Sequence, residues 1–146
     1  MNGVAMLLAI ERIKTLRARY LRCVDGRDWH GLAALFARDG VLELPDDMPD
    51  GGAIARVDLA GFLEQALHGV TSVHHGHMPE IEFHSDTAAS GIWAMEDRLF
   101  FGPGSSRPGQ RVHGYGHYHD DYILEEGNWR FQKVVLRRLR VDRLLG

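Results

Sequence analysis

Apolar residues recur at spacings of three and four at Ile10, Ile13, Leu16, Tyr20 and Val24, with Glu11, Arg12, Lys14, Arg17 and Arg19 between them. This period predicts an amphipathic helix whose polar residues face water and which stops near Asp25-Gly26. Asp28 is placed to cap a short second helix with Leu32, Leu35 and Phe36 on its apolar stripe. Residues 41–44 read as a strand and 45–52 (PDDMPDGG) as a loop. Asp58 then caps a third helix carrying Leu59, Phe62, Leu63, Ala66 and Leu67. From Val73 onward the period falls to two. Ile81 and Phe83 alternate with polar neighbours, Ser85-Asp86 marks a turn, and 88–101 forms a long strand. The stretch 102–110 (GPGSSRPGQ) connects it to a last pair of strands, 112–124 and 129–141, joined by a Glu125-Glu126-Gly127-Asn128 turn. Helices followed by long antiparallel strands predict an α+β fold, with helices packed on one face of a strongly curved sheet. The concave side of such a sheet is a natural pocket for a small molecule.

The totals narrow the function. The 146 residues suit one domain spanning 1–146. Seventeen Lys and Arg against twenty Asp and Glu leave a formal charge of −3. The Arg137, Arg138, Arg140 and Arg143 run spreads over both faces of the final strand without interleaved aromatics, so no nucleic-acid partner is expected. The apolar stretch Val4 to Ile10 lacks a basic leader and a cleavage site. No apolar run approaches the roughly 18 residues of a membrane span, so a cytoplasmic protein without a membrane partner is expected. Cys23 is the only cysteine, which excludes an internal disulfide and fits a reducing compartment. The unusual number is nine histidines, five of them between His68 and His84.

Three positions carry candidate chemistry. Asp25 follows the apolar stripe of the first helix, on nearly the same face as Tyr20, and reads either as a solvated helix end or as a carboxylate turned inward. In Val73-His74-His75-Gly76-His77, alternation puts His75 and His77 on one face and His74 on the other. That division does not gather the three or four ligands a metal needs, and no metal is expected. His74 facing an enclosed pocket would be a general base; the alternative is a core histidine bonded to backbone. Asp97 falls on the face of Trp93, Met95 and Leu99, where a carboxylate must find a partner, shift its pKa or open to a pocket. Gly114, Gly116, Tyr118, Asp120 and Tyr122 share one strand face, and the glycines there leave room for a ligand. His113, Tyr115, His117 and His119 share the other, which is expected to be exposed or covered by another subunit. Trp93, Met95, Tyr118 and an inward-facing Phe62 would give the pocket apolar and aromatic walls.

Four segments together resemble one family: Tyr20 to Gly26, His74 to Ile81, Gly91 to Leu99, and Tyr118 through Trp129. The chain is similar, over about residues 10–140, to the SnoaL-like branch of the nuclear-transport-factor-2-like superfamily. Within it the chain looks most like the bile acid 7α-dehydratases and, more loosely, the scytalone dehydratases. The resemblance implies a cone-shaped α+β barrel, no metal or organic cofactor, and a homodimer or homotrimer. It also implies an Asp–His catalytic pair at Asp25 and His74, an additional acid at Asp97, a helix tyrosine at Tyr20 and a functional arginine at Arg138. Leu99, Gly116 and Tyr118 depart from the scytalone dehydratase pattern. The expected activity is a cofactor-free elimination of water from a hydroxy-carbonyl steroid, polyketide or aromatic compound. In it His74 is the base, Asp25 its partner, Tyr20 with Tyr118 the donors to the enolate oxygen, and a protonated Asp97 the donor to the departing hydroxyl. The alternatives are a ketosteroid-isomerase-like isomerase, a polyketide cyclase, or a non-catalytic module that binds a ligand or partner.

Overall fold

A computed structural model describes residues 1–145. Three helices, α1 (Gly3–Asp25), α2 (Trp29–Ala33) and α3 (Arg56–Ala66), accompany six strands. The strands are β1 (Phe36–Glu43), β2 (Ala53–Ala55), β3 (Val70–Phe83), β4 (Ala88–Phe101), β5 (Gln110–Glu125) and β6 (Asn128–Leu145). They form one sheet in the order β2-β1-β6-β5-β4-β3. β1 runs parallel to β6, and the other pairings among the described residues are antiparallel. The architecture is the expected α+β one, with helices on a curved sheet. The sheet is open rather than a closed barrel, since β2 and β3 remain its two edges. Among the described residues no helix is long and apolar enough to cross a membrane.

Element boundaries differ from the sequence expectation where local capping overrides the apolar period. α1 begins at Gly3, well before Ile10, because the Asn2 side chain accepts from the Ala5 N–H at 2.8 Å and starts the helix there. Asp28 caps α2 through the Gly31 N–H at 2.9 Å as expected. Leu35 and Phe36 lie beyond that helix, and Phe36 opens β1. Asp58 is not a cap. α3 starts three residues earlier, with Ala55 at the cap position and no side-chain bond, and Asp58 sits in the first turn, where the helix dipole favours a carboxylate. The turn after α1 places Arg27 at φ 60°, and its guanidinium donates to the carbonyls of Leu67 and Val70, both at 2.8 Å. This ties the end of α1 to the start of β3.

Arg17 is the largest departure. Read as a surface residue between apolar ones, it is fully buried. It stands four residues after Ile13 and three before Tyr20, on the same face of the helix, so the core-facing stripe includes it. Its guanidinium pairs with Asp120 of β5 through Nη2 and, at 3.1 Å, through Nε. Asp120 also accepts from the Tyr122 hydroxyl at 2.7 Å, and Tyr122 in turn accepts from the Trp93 indole N–H at 2.9 Å. Burial pushes the Asp120 carboxyl up from its usual value, and the Arg17 charge draws it back. The rings of Tyr20, Tyr118 and Phe131 lie 4.4, 4.0 and 4.6 Å from the guanidinium carbon, so aromatic faces supply the rest of its solvation.

Removing one member of a buried pair leaves an uncompensated charge, which costs about 3–5 kcal/mol. Asp120→Ala is therefore expected to lower unfolding free energy by that amount in urea titrations. A double Arg17→Met/Asp120→Leu replacement is expected to recover most of it.

Candidate active site

The last residue of α1 points at β3. Asp25 Oδ1 accepts from the Ser72 hydroxyl at 2.9 Å and lies 2.7 Å from His74 Nδ1, while Oδ2 accepts from the His74 backbone N–H at 2.8 Å. Alternation along β3 puts Ser72 and His74 on the same face, so both meet one carboxylate. Burial alone would push Asp25 up. The hydrogen bonds from the His74 ring and backbone, with the Ser72 hydroxyl, outweigh it and hold the group below its usual value of 3.8. An ionised Asp25 can only accept, so Nδ1 of His74 carries a hydrogen, and in the neutral ring the free lone pair is on Nε2.

Nε2 faces Asp97, with Oδ2 at 3.8 Å. The two residues are register partners across β3 and β4, and the same rung continues to Gly114 on β5 and Val141 on β6. Asp97 is buried and receives both guanidinium nitrogens of Arg138, at 2.7 and 2.9 Å. A Cβ at Gly114 would overlap both Asp97 and Arg138, so glycine is what lets this ion pair cross the sheet. Arg138 also reaches Asp47 at 3.3 Å, and its backbone N–H donates to Asp46 at 2.8 Å. The acidic loop after β1 is thereby fastened over β6. This contact was not legible in the sequence, because its partners stand about ninety residues apart with no local pattern linking them.

These groups border a cavity of about 300 Å³ whose wall includes Tyr20, Phe62, His74, Asp97, Tyr118 and Arg138. Asp25 lies behind His74, bonded to it but outside the wall. Trp93 and Met95, expected at the ligand, are not part of the wall. Both are buried where α1 covers the concave face: Leu21 lies against the strand beside them, and the Trp93 N–H is spent on Tyr122. Strand alternation identifies the concave face but not which part of it a helix covers. Burial pushes the Tyr20 hydroxyl up to about 12 and Tyr118 well above its usual value, so both stay protonated and able to donate. Their rings meet edge to face at 5.9 Å.

The remaining histidines do not join this site. His75 and His77 point away from the cavity, and His75 and His113 instead approach Glu96 on the outer face at 3.9 and 3.8 Å. Among the described residues no three His, Cys, Asp or Glu side chains converge as a metal site.

The SnoaL-like domain model matches residues 5–135. The chain belongs to the SnoaL-like domain family. Solved structures share the fold of this SnoaL-like domain. One from Novosphingobium aromaticivorans, provisionally named a scytalone dehydratase, is 23% identical with a TM-score of 0.84, over 97% of this chain and 91% of that one. A hexachlorocyclohexane dehydrochlorinase from Novosphingobium barchaimii is 21% identical with a TM-score of 0.81, over 99% and 96%. A Mycobacterium tuberculosis protein of unknown function is 28% identical with a TM-score of 0.79, over 96% and 78%.

Because the folded Asp25 value is depressed, its contribution to stability is present above 3.8 and lost as the pH falls through the folded value. Urea unfolding of the SnoaL-like domain and its Asp25→Asn variant is expected to show a gap at neutral pH that narrows below pH 3.8. A gap that persists unchanged into strong acid would contradict the assignment.

Proposed function

We propose that this SnoaL-like domain is a cofactor-independent lyase that eliminates water from an apolar or aromatic hydroxy-carbonyl compound. The observation that carries the reading is the 2.7 Å contact between His74 Nδ1 and Asp25, which leaves Nε2 turned toward the cavity. In the proposed reaction Nε2 takes a proton from the carbon next to the substrate carbonyl. Asp25 holds the ring and stabilises the imidazolium that forms, as the carboxylate of a catalytic triad does. Tyr20 and Tyr118, both protonated at the wall, donate to the oxygen of the developing enolate, where negative charge accumulates. The enolate then expels the hydroxyl, which leaves as water after taking the proton that His74 carries.

The geometry changes one expected role. Both oxygens of Asp97 accept from Arg138, so Asp97 is no donor to the departing hydroxyl. It stands instead as a carboxylate facing Nε2 and paired with Arg138, which borders the place where the departing group would sit. Dehydratase and dehydrochlorinase, the activities in the names of two structural relatives, are both eliminations, which supports the reading.

A thermal-shift screen of hydroxy-ketones identifies a substrate, and mass spectrometry of its product shows loss of one water. On that substrate His74→Ala is expected to lower kcat by about 10² to 10⁴-fold, and Tyr20→Phe by a smaller factor. A product of unchanged mass would assign isomerisation instead, with His74 returning the proton to carbon. A folded His74→Ala variant with full turnover would sink both.

A further inference from the structure

Helix α1 closes on an unusual residue. The Asp28 N–H donates to the Cys23 carbonyl at 2.8 Å and the Arg27 N–H to the Val24 carbonyl at 3.1 Å, the two bonds that end a helix on a left-handed residue. That residue is Arg27, at φ 60°. Glycine is the ordinary occupant, because any other side chain brings its Cβ against a backbone carbonyl. Arginine bears that strain here, and its side chain makes contacts no glycine could. Nη1 donates to the carbonyls of Leu67 and Val70, both at 2.8 Å, and the guanidinium carbon lies 5.4 Å from the centre of the Trp29 ring. Leu67 is the C-cap of α3 and Val70 opens β3, so one nitrogen joins the ends of two helices to the start of a strand.

The candidate site straddles that junction. Asp25 stands two residues before Arg27, and Ser72 and His74 stand two and four residues after Val70. The carboxylate and its three donors therefore meet across the gap between α1 and β3 that Arg27 spans, at 2.7 to 2.9 Å. Contacts this short tolerate little separation, since a side-chain contact stretched to about 3.6 Å is no longer a hydrogen bond. We propose that Arg27 is a positioning residue: its clasp on Leu67 and Val70 holds α1 against β3 at the spacing that the hydrogen bond between Asp25 and His74 requires. Arg27 is exposed and stands outside the cavity wall, so it acts through those two residues and touches no ligand. Its effect on the hydrogen bond stands on these contacts alone; its effect on turnover rests on the elimination reading above.

Arg27→Gly separates this role from that of a helix terminator. Glycine takes the left-handed conformation without strain, so a residue that only closes the helix is replaceable by it at no loss. The positioning role predicts a loss. In the unmodified protein the His74 Nδ1–H, held by Asp25, is expected to give a sharp low-field proton resonance at neutral pH. In Arg27→Gly the resonance is expected to broaden or vanish as the proton exchanges faster with water, while circular dichroism remains that of the folded protein. Arg27→Asn also accepts the left-handed conformation and cannot reach the two carbonyls. It is expected to behave alike, and it carries the test if the glycine variant does not fold. On a substrate found among hydroxy-ketones, both variants are expected to lower kcat about tenfold with KM little changed. A resonance as sharp in either folded variant as in the unmodified protein overturns the proposal, whatever the turnover. Its absence from the unmodified protein overturns the proposal and the Asp25–His74 pairing together. A resonance lost while turnover stays full leaves the clasp standing and strikes the elimination reading, because His74 would then work without Asp25.

Discussion

Arg17 has no access to water, so its charge has to be met inside the protein, and Asp120 together with three aromatic faces meets it. A buried pair of this kind contributes little net stability, since the attraction is offset by the desolvation of both ions. What it does contribute is orientation. A forked guanidinium engaging one carboxylate through two nitrogens fixes the rotation of α1 on the sheet more tightly than apolar packing, which tolerates sliding. Tyr20 is three residues further along that helix and Asp25 five beyond that, so the direction of both follows from the anchor at Arg17. The tyrosines that surround the guanidinium also form the cavity wall. One cluster therefore holds the helix and forms part of the cavity wall.

Asp25 at the end of α1 and Asp97 and Asp120 on the sheet differ in the donors that meet them. Asp120 answers a buried guanidinium and a tyrosine and takes no part in the cavity. Asp25 collects a ring nitrogen, a backbone N–H and a hydroxyl, and stays ionised against its burial. Asp97 is clamped by Arg138, and the clamp exists because residue 114 has no side chain. All three stand on a helix or strand rather than a loop. Such support keeps the groups aimed before any ligand arrives and reduces the reorganisation a reaction would need. The loop with Asp46 and Asp47 is fastened by the same arginine.

Much of this was legible from residue types and periods. The change from a period near 3.6 to a period of two separates helices from sheet, and alternation alone separates His74 from His75 and His77 and puts Asp97 on the face of Trp93, Met95 and Leu99. The same reasoning failed at Arg17, because residue type was allowed to outweigh its position on the apolar stripe; Asp120, on the inward face with Tyr118 and Tyr122, was the matching signal. Asp58 failed as a cap because Ala55 and the short β2 before it bring the helix in three residues early. Resemblance to a family supplied the link between Asp25 and His74, which no local spacing encodes.

Apart from Arg17, the sequence by itself determined which side chains share a face and that helices precede a curved sheet, since both depend on local periods of side-chain direction. It also limited the charge, the cysteine chemistry and the absence of a gathered histidine cluster. Only the tertiary structure decided that Trp93 and Met95 belong to the covered core while Phe62, Tyr118 and Arg138 reach the cavity. It alone decided that Asp97 accepts from Arg138. Those outcomes depend on where a helix crosses the sheet and on which distant charge arrives at a buried carboxylate. Contacts between residues forty to a hundred positions apart have no representation in a local pattern.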